Sequence, residues 1–301
     1  MERLYAELKK VLRGRVRRSE PMWRHTSWRI GGPADILVEP ASVADVEHTM
    51  QMAAARAVPV TVIGAGTNVL VLDGGIRGVV LKIGYGMAAL EINGLRITCG
   101  AGLKLGRLAH AACAAGISGL EFACGIPGSV GGAVVMNAGA AGGQMSQVVE
   151  WVRVFQPGEG LKVLAGGELG FAYRYSALQQ SRAVVLEVGL GGRPGDSESI
   201  RQQMQQNLAG RLAQQPLEWP NAGSVFKNPP GRAAGQLIEA AGLKGYTIGG
   251  AQISSRHANF IINLGQARAA DVLALIELAR AEVKRKFDVE LVCEVRILGE
   301  A

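Results

Sequence analysis

A single serine, Ser224, stands in the stretch N-A-G-S-V-F-K-N-P (Asn221 to Pro229), behind a glycine and three residues ahead of Lys227. A hydroxyl in that setting can serve as a nucleophile, a phosphate ligand, a helix cap or a proton source. The local G-S-V-F-K-N-P does not match the G-x-S-x-G nucleophile elbow. A serine nucleophile also needs a base within hydrogen-bond reach, most often His. His48 and His110 lie inside amphipathic stretches, where a surface or packing role is expected, and only His257, in S-S-R-H-A-N-F, reads as a site residue. A hydrolase triad is therefore a poor reading of Ser224, and the other roles stay open on local sequence.

Two further side chains could handle a carboxylate. Arg174 sits in F-A-Y-R-Y-S between Tyr173 and Tyr175. A guanidinium among aromatics suits bidentate binding of a carboxylate in a partly dry site, although a surface arginine covering apolar area has the same pattern. Glu294 and Arg296 lie two apart in V-E-L-V-C-E-V-R-I-L, read as a strand. Val289, Leu291, Cys293, Val295 and Ile297 make its apolar face and put both charges on the other.

Glycine loops supply the second kind of signal. G-A-G-T-N (Gly64 to Asn68) follows a strand, but Val69 stands where the dinucleotide fingerprint needs its third glycine, and a strand rather than a helix follows. Such a loop can still offer backbone N–H groups to a phosphate, or it can be a tight hairpin. Gly125 to Ala140 is richer, with Gly125, Gly128, Gly131 and Gly132 around Pro127 and Ser129. Glycines at this density let backbone pass close to a phosphorylated or flat ligand. Two such loops about sixty residues apart suggest a long dinucleotide held at its pyrophosphate.

The elements that must position these groups are legible in outline. Helices are expected over Ser42–Ala57 with Ser42 as N-cap, Leu103–Ala115 ending at Gly116, Ser199–Gln214, Ala233–Ala241 and Ala269–Phe287. Strands are expected at Val60–Ile63, Val69–Leu72, Val79–Ile83, Leu90–Cys99, Val148–Phe155 and Ala183–Val188. Gly191–Ser199 reads as a linker. Four cysteines without a C-x-x-C pair make neither a zinc set nor a disulfide framework, so buried, reduced thiols and no metal are expected. No apolar run is long enough to span a membrane, and no secretory signal opens the chain. The net charge of +7 admits nucleic acid, but the only dense basic run is Lys9 to Arg18, without aromatic interleaving, which reads as a solvated helix face. Small anionic ligands suit the rest better.

Together H-T-S-W-R-I-G-G-P-A-D, G-A-G-T-N-V-L-V, G-L-E-F-A-C-G-I-P-G-S-V-G-G-A-V-V-M-N-A-G-A, Y-R-Y-S, A-G-S-V-F-K-N-P, G-G-A-Q-I-S-S-R-H-A-N-F-I-I-N and C-E-V-R-I-L-G resemble the UDP-N-acetylenolpyruvoylglucosamine reductase family of cell-wall precursor synthesis. The resemblance runs from His25 to Gly299. It implies an α/β to α+β fold, with a two-subdomain FAD-binding region of the vanillyl-alcohol-oxidase type followed by a smaller α/β substrate domain. The corresponding division is a basic N-terminal helical segment over 1–24, FAD subdomains over 25–85 and 86–195, and the substrate domain over 196–301.

The resemblance further implies a cytoplasmic enzyme with non-covalent FAD, reduced by NADPH, acting on a nucleotide sugar, with neither nucleic acid nor membrane insertion. It assigns Gly64, Ala65, Gly66, Thr67, Asn68, Gly125, Ile126, Pro127, Gly128, Ser129, Gly131 and Gly132 to the cofactor, and Lys227, Asn228, His257 and Arg296 to the substrate. Ser224 matches the family's proton donor. Arg174 and Glu294 match the groups that stabilise charge on the enolpyruvyl carboxylate, with Glu294 most effective as a protonated donor. The short C-terminal domain resembles the family's shorter subtype, and Ala141 stands where many relatives have an aromatic. Two rivals make distinct predictions. Another flavin oxidoreductase acting on a small alcohol or acid would not depend on Ser224, and a non-catalytic binding module would be colourless.

Overall fold

A computed structural model describes all 301 residues. The chain divides into two compact units that do not follow sequence order. Unit 1 comprises residues 1–18, 36–65 and 78–211; unit 2 comprises residues 19–35, 66–77 and 212–301.

Unit 1 begins with helix α1 (Glu2–Val11), which buries Leu4 and Leu8 in the unit's core. The helix ends inside the basic run, with Lys9 and Lys10 in its last turn. Arg15–Pro21 is a strand, and its cations find acids: Arg17 meets Glu39, and Arg18 meets Glu2. The expected solvated helix face is thus half helix and half sheet edge. Helix α2 (Val43–Ala54) is N-capped by Ser42, which accepts from the Asp45 N–H. Asp45 is buried because its carboxylate takes three backbone N–H groups, from Arg13, Gly14 and Ala41.

A four-stranded sheet runs in the order Arg15–Pro21, Pro33–Glu39, Ile76–Lys82, Val60–Ile63. Its last two strands are parallel, with Val60 opposite Val79 and Ile63 opposite Lys82. Val60–Ile63 does not pair with Val69–Val71, so the hairpin alternative for the G-A-G-T-N loop is excluded.

A five-stranded antiparallel sheet has the order Gly160–Ala165, Val149–Gln156, Val184–Gly191, Arg96–Gly100, Leu90–Asn93. The expected single strand Leu90–Cys99 is two strands joined by the two-residue loop Gly94-Leu95, with Gly94 at φ +58°, as the first position of such a hairpin turn favours. Helices α3 (Leu105–Ala114) and α4 (Val130–Met136) pack their Leu105, Leu108, Val130 and Val134 into the same core as this sheet's Ile97, Val152 and Val188. The expected linker is pinned instead: Arg193–Pro194 pairs with Ile117–Ser118, and Ser197 Oγ donates to Cys113 O at 2.8 Å. Helix α5 (Ser197–Gln214) completes the unit and buries only Ile200 and Met204.

Unit 2 is built around helix α6 (Ala234–Ala240) and helix α7 (Ala269–Phe287). The latter turns Val272, Leu275, Ile276, Ala279 and Val283 inward, as its spacing predicts. A three-stranded antiparallel sheet, Thr247–Ile248, Ala251–Ile253, Ile261–Asn263, packs on α7. Val69–Val71 and Arg296–Leu298 form a separate parallel pair. The long C-terminal strand expected over Val289–Leu298 is therefore only three residues. Leu291 and Val295 are buried as its period requires, but Ile297 is 43% exposed. Trp28 is buried in the core of this unit, its indole N–H donating to Ile261 O at 2.7 Å.

Candidate active site

In unit 1 the Gly125–Gly132 segment closes on itself and on its neighbours. Val130 N–H and Gly131 N–H donate to Leu103 O and Ala101 O, both at 2.8 Å. A Cβ on Gly131 would lie 2.7 Å from Ala101 Cβ, so this glycine permits the close approach. Ser129 is fully buried, yet its hydroxyl has no hydrogen-bond partner. It faces Gly64, where a Cβ would fall 2.4 Å from Ser129 Oγ, and Gly132, where one would fall 3.4 Å away. A side chain at Gly64 would fill the space into which the orphaned hydroxyl points. An unpaired buried hydroxyl costs roughly 1–3 kcal/mol, and a polar ligand atom in that space removes the penalty. The two glycine loops meet at Ser129. Pro127 and Ala65 are exposed, and Ile126 is half-buried.

Arg174 forms the corner of a two-residue turn closed by paired bonds between Ala172 and Tyr175, each 3.1 Å. Its φ is +54°, a left-handed conformation that bulky residues rarely adopt. Four bonds hold the corner. Gln179 Nε2 donates to Arg174 O and to Val135 O at 3.0 Å, Ser176 Oγ donates to Val135 O at 2.7 Å, and Asn137 Nδ2 donates to Ala172 O at 2.9 Å. The guanidinium lies 5.4 Å over the Tyr173 ring. A strained, well-braced backbone at a polar residue marks a site where position matters.

In unit 2 the residues after Ser224 run as a rung between two partners. On one side Val225 N–H donates to Asn259 O at 2.8 Å. The Asn259 side chain then holds Phe226 both ways, accepting from its N–H at 3.0 Å and donating to its carbonyl at 2.8 Å. On the other side Glu294 N–H donates to Val225 O, and Lys227 N–H to Val292 O, both at 2.8 Å. Ser224 and Glu294 are thereby fixed on neighbouring backbone, and both are half-buried. The Ser224 hydroxyl has no partner within the protein, and no histidine bonds to it, so nothing here makes it a base-activated nucleophile. It caps no helix.

The N-terminal side of this rung is held by Ser27. Its hydroxyl donates to Asn221 O at 2.6 Å, and its N–H donates to Gly66 O at 3.0 Å. Gly66 presses on His25, where a Cβ would come within 2.0 Å of the carbonyl oxygen. Asn68 Nδ2 donates to Glu294 O at 3.1 Å, and Arg296 N–H donates to Asn68 O at 3.1 Å. Asn68, expected at the cofactor, braces the Glu294–Arg296 backbone, while Gly66 is tied to Ser27, with Thr67 half-buried between them.

The four expected substrate ligands differ. Lys227 is half-buried with no acid partner, and the Arg296 guanidinium is exposed. Asn228 accepts from Ala234 N–H at 3.0 Å and so caps α6 with its carbonyl oxygen, leaving its Nδ2 available. His257 Nδ1 accepts from Asn259 N–H at 3.2 Å, which puts the ring proton on Nε2. Burial, its largest influence, pushes the imidazole below its ordinary value and keeps it neutral. Asn259 and Ser27 escaped the sequence reading, although both sit inside the motifs quoted above; what marks them is a long-range bond, which sequence does not display.

All four cysteines are free; Cys99 and Cys113 are buried, while Cys124 and Cys293 are half-buried. No helix is long and apolar enough to cross a membrane, and no acid, His and Cys cluster could hold a metal ion.

This architecture defines a flavin-binding oxidoreductase fold: the FAD binding domain family matches residues 34–163. The family of UDP-N-acetylenolpyruvoylglucosamine reductase C-terminal domains matches residues 215–298. The Heliobacterium modesticaldum UDP-N-acetylenolpyruvoylglucosamine reductase is 50% identical over 98% of this chain and 94% of its own length. The Bacillus subtilis protein of the same name is 48% identical over 99% of both. The crystal structure of the Thermus caldophilus enzyme superposes with a TM-score of 0.83 at 36% identity, covering 96% of this chain and all of that one. The chain belongs to the UDP-N-acetylenolpyruvoylglucosamine reductase family. An alkyldihydroxyacetonephosphate synthase shares the fold alone, with a TM-score of 0.51 at 16% identity over 64% of this chain.

Proposed function

We propose that this chain reduces UDP-N-acetylenolpyruvoylglucosamine to UDP-N-acetylmuramate in peptidoglycan precursor synthesis, with FAD as cofactor and NADPH as reductant. The observation that carries the reading is end-to-end similarity to reductases of that name at about half identity. The orphaned Ser129 hydroxyl between two glycine loops fits FAD, which Gly64, Ala65, Gly66, Thr67, Asn68 and the Gly125–Gly132 segment would hold. Bound there, FAD would supply hydride-transfer chemistry between NADPH and the alkene terminus of the enolpyruvyl ether.

The remaining chemistry belongs to the chain. Hydride addition leaves negative charge on C2 and its carboxylate. Arg174, held at its strained corner, is assigned to bind that carboxylate, and Glu294 to stabilise the developing charge. Losing one such donor typically costs ~3 kcal/mol of barrier. Ser224, whose hydroxyl has no competing partner, gives C2 its proton, which sets the lactyl product. Lys227 and Arg296 suit the diphosphate of the substrate, and Asn228 Nδ2 and His257 Nε2 its neutral polar groups. The two sheets of residues 15–82 and 90–191 support two FAD subdomains, 25–85 and 86–195, while the unit that holds residues 212–301 also takes in 19–35 and 66–77, so substrate binding would draw on more of the chain than 196–301. Free cysteines and a reduced-nicotinamide reaction support a cytoplasmic site of action.

The test is anaerobic single turnover. NADPH should bleach the flavin band near 450 nm, and the enolpyruvyl substrate should restore it. Ser224→Ala should bleach normally and recover at least a hundredfold more slowly. A reduced flavin indifferent to that substrate would transfer the reading to a small-molecule oxidoreductase.

A further inference from the structure

Ser224 is placed entirely by its neighbours, since its N–H, carbonyl and hydroxyl make no hydrogen bond within the protein. Downstream the chain is held at Val225 by Asn259. Upstream the hold is narrower. Across Ala222–Ser224 the one hydrogen bond runs from Gly223 N–H to Asn221 Oδ1, at 2.9 Å. Ala222 is buried, which fixes its own position but not the peptide planes that follow it. Gly223 lies at φ +77° with open space around it, so glycine answers there to backbone direction rather than to packing.

The other end of the Asn221 amide grips a rigid frame. Its Nδ2 donates to Pro216 O at 3.2 Å and to Trp219 O at 2.8 Å, closing the Pro216–Pro220 loop from within. That loop is fastened from outside as well. Arg256 Nη1 donates to Gln215 O at 3.1 Å and to Glu218 Oε2 at 3.2 Å, and Asn263 N–H donates to Pro220 O at 2.9 Å. The Asn221 carbonyl meanwhile accepts from Ser27 Oγ at 2.6 Å. Asn221 is therefore the junction between a braced loop and the peptide that carries Ser224. Its amide uses both ends, with the oxygen on an N–H and the nitrogen on two carbonyls, and no other side chain of its size can do both.

We propose that Asn221 is a positioning residue for the Ser224 hydroxyl: through Gly223 it sets the direction of the serine and so governs the proton transfer to C2. In that step the Ser224 O–H bond breaks, the electron pair at C2 becomes the new C–H bond, and the serine oxygen regains a proton from solvent. A general acid must stand within hydrogen-bond reach of the atom it protonates. A loosened Gly223 peptide takes the hydroxyl out of that reach while leaving its chemistry intact. The proposal rests on the reductase reading above and adds to it a residue that touches neither substrate nor cofactor.

The experiment follows flavin absorbance in anaerobic single turnover for wild type, Asn221→Ala, Asn221→Ser and Asp73→Ala, in water and in deuterium oxide. Asn221→Ala should bleach with NADPH at the wild-type rate. Its recovery with the enolpyruvyl substrate should be slower by about tenfold or more. The ratio of recovery rates in water and deuterium oxide should rise, because the proton step has become limiting. A serine hydroxyl can still accept the N–H two residues on, so Asn221→Ser should regain part of the rate and of the isotope ratio. Asp73→Ala, which removes the carboxylate that accepts the first N–H groups of α7, loosens the same unit elsewhere and should keep both rates and the ratio.

Loss of folded protein lowers the amplitude of recovery without changing its rate or its isotope ratio. Recovery of Asn221→Ala within about twofold of wild type would overturn the proposal. A slowing shared by the NADPH step or by Asp73→Ala, or a slowing without a change in the isotope ratio, would overturn it too. Should Asn221→Ala fail to fold, Asn221→Ser carries the same readouts, with a smaller slowing and a raised ratio expected and wild-type values fatal. Wild-type protein whose reduced flavin ignores the substrate would sink the reductase reading itself, a failure seen before any variant is compared.

Discussion

Replacing Asn259 tests the claim that its side chain holds the Ser224 segment. Asn259→Ala removes two hydrogen bonds to the buried residue Phe226, one to its N–H at 3.0 Å and one to its carbonyl at 2.8 Å. Phe226 is 2% exposed, so water cannot take their place without opening the structure. Two net hydrogen bonds at about 1 kcal/mol each, plus part of the desolvation cost of the stranded groups, give a loss of about 3 kcal/mol. That corresponds to roughly two orders of magnitude in the local opening equilibrium. Hydrogen exchange followed by mass spectrometry on peptides spanning Val225–Lys227 reads this directly, with urea unfolding as the global measure.

Asn259→Asp sharpens the test. The aspartate keeps the acceptor for Phe226 N–H but turns a carboxylate oxygen toward the Phe226 carbonyl. Its carboxyl should bind a proton more tightly folded than unfolded, so this variant should gain stability relative to wild type as pH falls from 7 toward 4. Exchange at Phe226 within threefold of wild type in Asn259→Ala, or an Asn259→Asp variant with no such pH dependence, would refute the argument.

Other outcomes follow from the same geometry. Gly66→Ala should cost more than about 2 kcal/mol in thermal or urea unfolding, because φ is +70° and the new methyl would meet His25 O at 2.0 Å. Gly142→Ala, at φ +81° with open space around it, should lose only the ~1–2 kcal/mol of backbone strain; equal losses would discredit the contact. Asp73→Ala should destabilise by about 1 kcal/mol, since its carboxylate accepts the first N–H groups of α7 from Ala269 and Ala270 at 3.0 and 3.2 Å. His257, held below its ordinary 6.5 in the fold, contributes stability that is complete above that value. That contribution should fade as pH drops from 6.5 through the lower folded value, and His257→Gln should flatten the slope of melting temperature against pH in that window. Cys99, pushed up to about 12 by burial and secondarily by the Glu187 charge, should stay unalkylated in native protein at pH 8.

The long helices were legible because their apolar residues recur at helical spacing and their ends carry caps. α7 begins and ends where its pattern does, and Gly116 and Gly242 stop α3 and α6 with φ +65° and +85°. Edge strands were not. Gly160–Ala165 is mostly exposed and shows no alternation, and Arg15–Pro21 reads as a charge run. The Leu90–Cys99 alternation continues through a hairpin whose loop, Gly94-Leu95, is marked in sequence only by one glycine. Among the candidate site residues, the types of Arg174, Ser224 and Glu294 are plain in the sequence, but their supports are not. The strain at Arg174 arises without a glycine, and the hold of Asn259 on Phe226 spans 33 positions. The over-long C-terminal strand has a related cause: Leu291 and Val295 alternate correctly because they flank the Phe226 rung, not because they lie in a sheet.

The parallel pairing of Val69–Val71 with Arg296–Leu298 bears on how the molecule is made. During synthesis, residues 19–35 and 66–77 emerge long before the segment that finishes their unit, so Trp28, Ile30 and Leu70 wait uncovered while more than a hundred intervening residues are added. Unit 1 has all its parts once Arg211 has emerged, and domains generally fold as units during synthesis. The nascent chain therefore spends an interval with one half assembled and the other an exposed apolar remnant. Chaperone capture is expected to concentrate on that remnant, and heat or slowed translation near the 3′ end of the message should deplete this protein earlier than one whose units close in order.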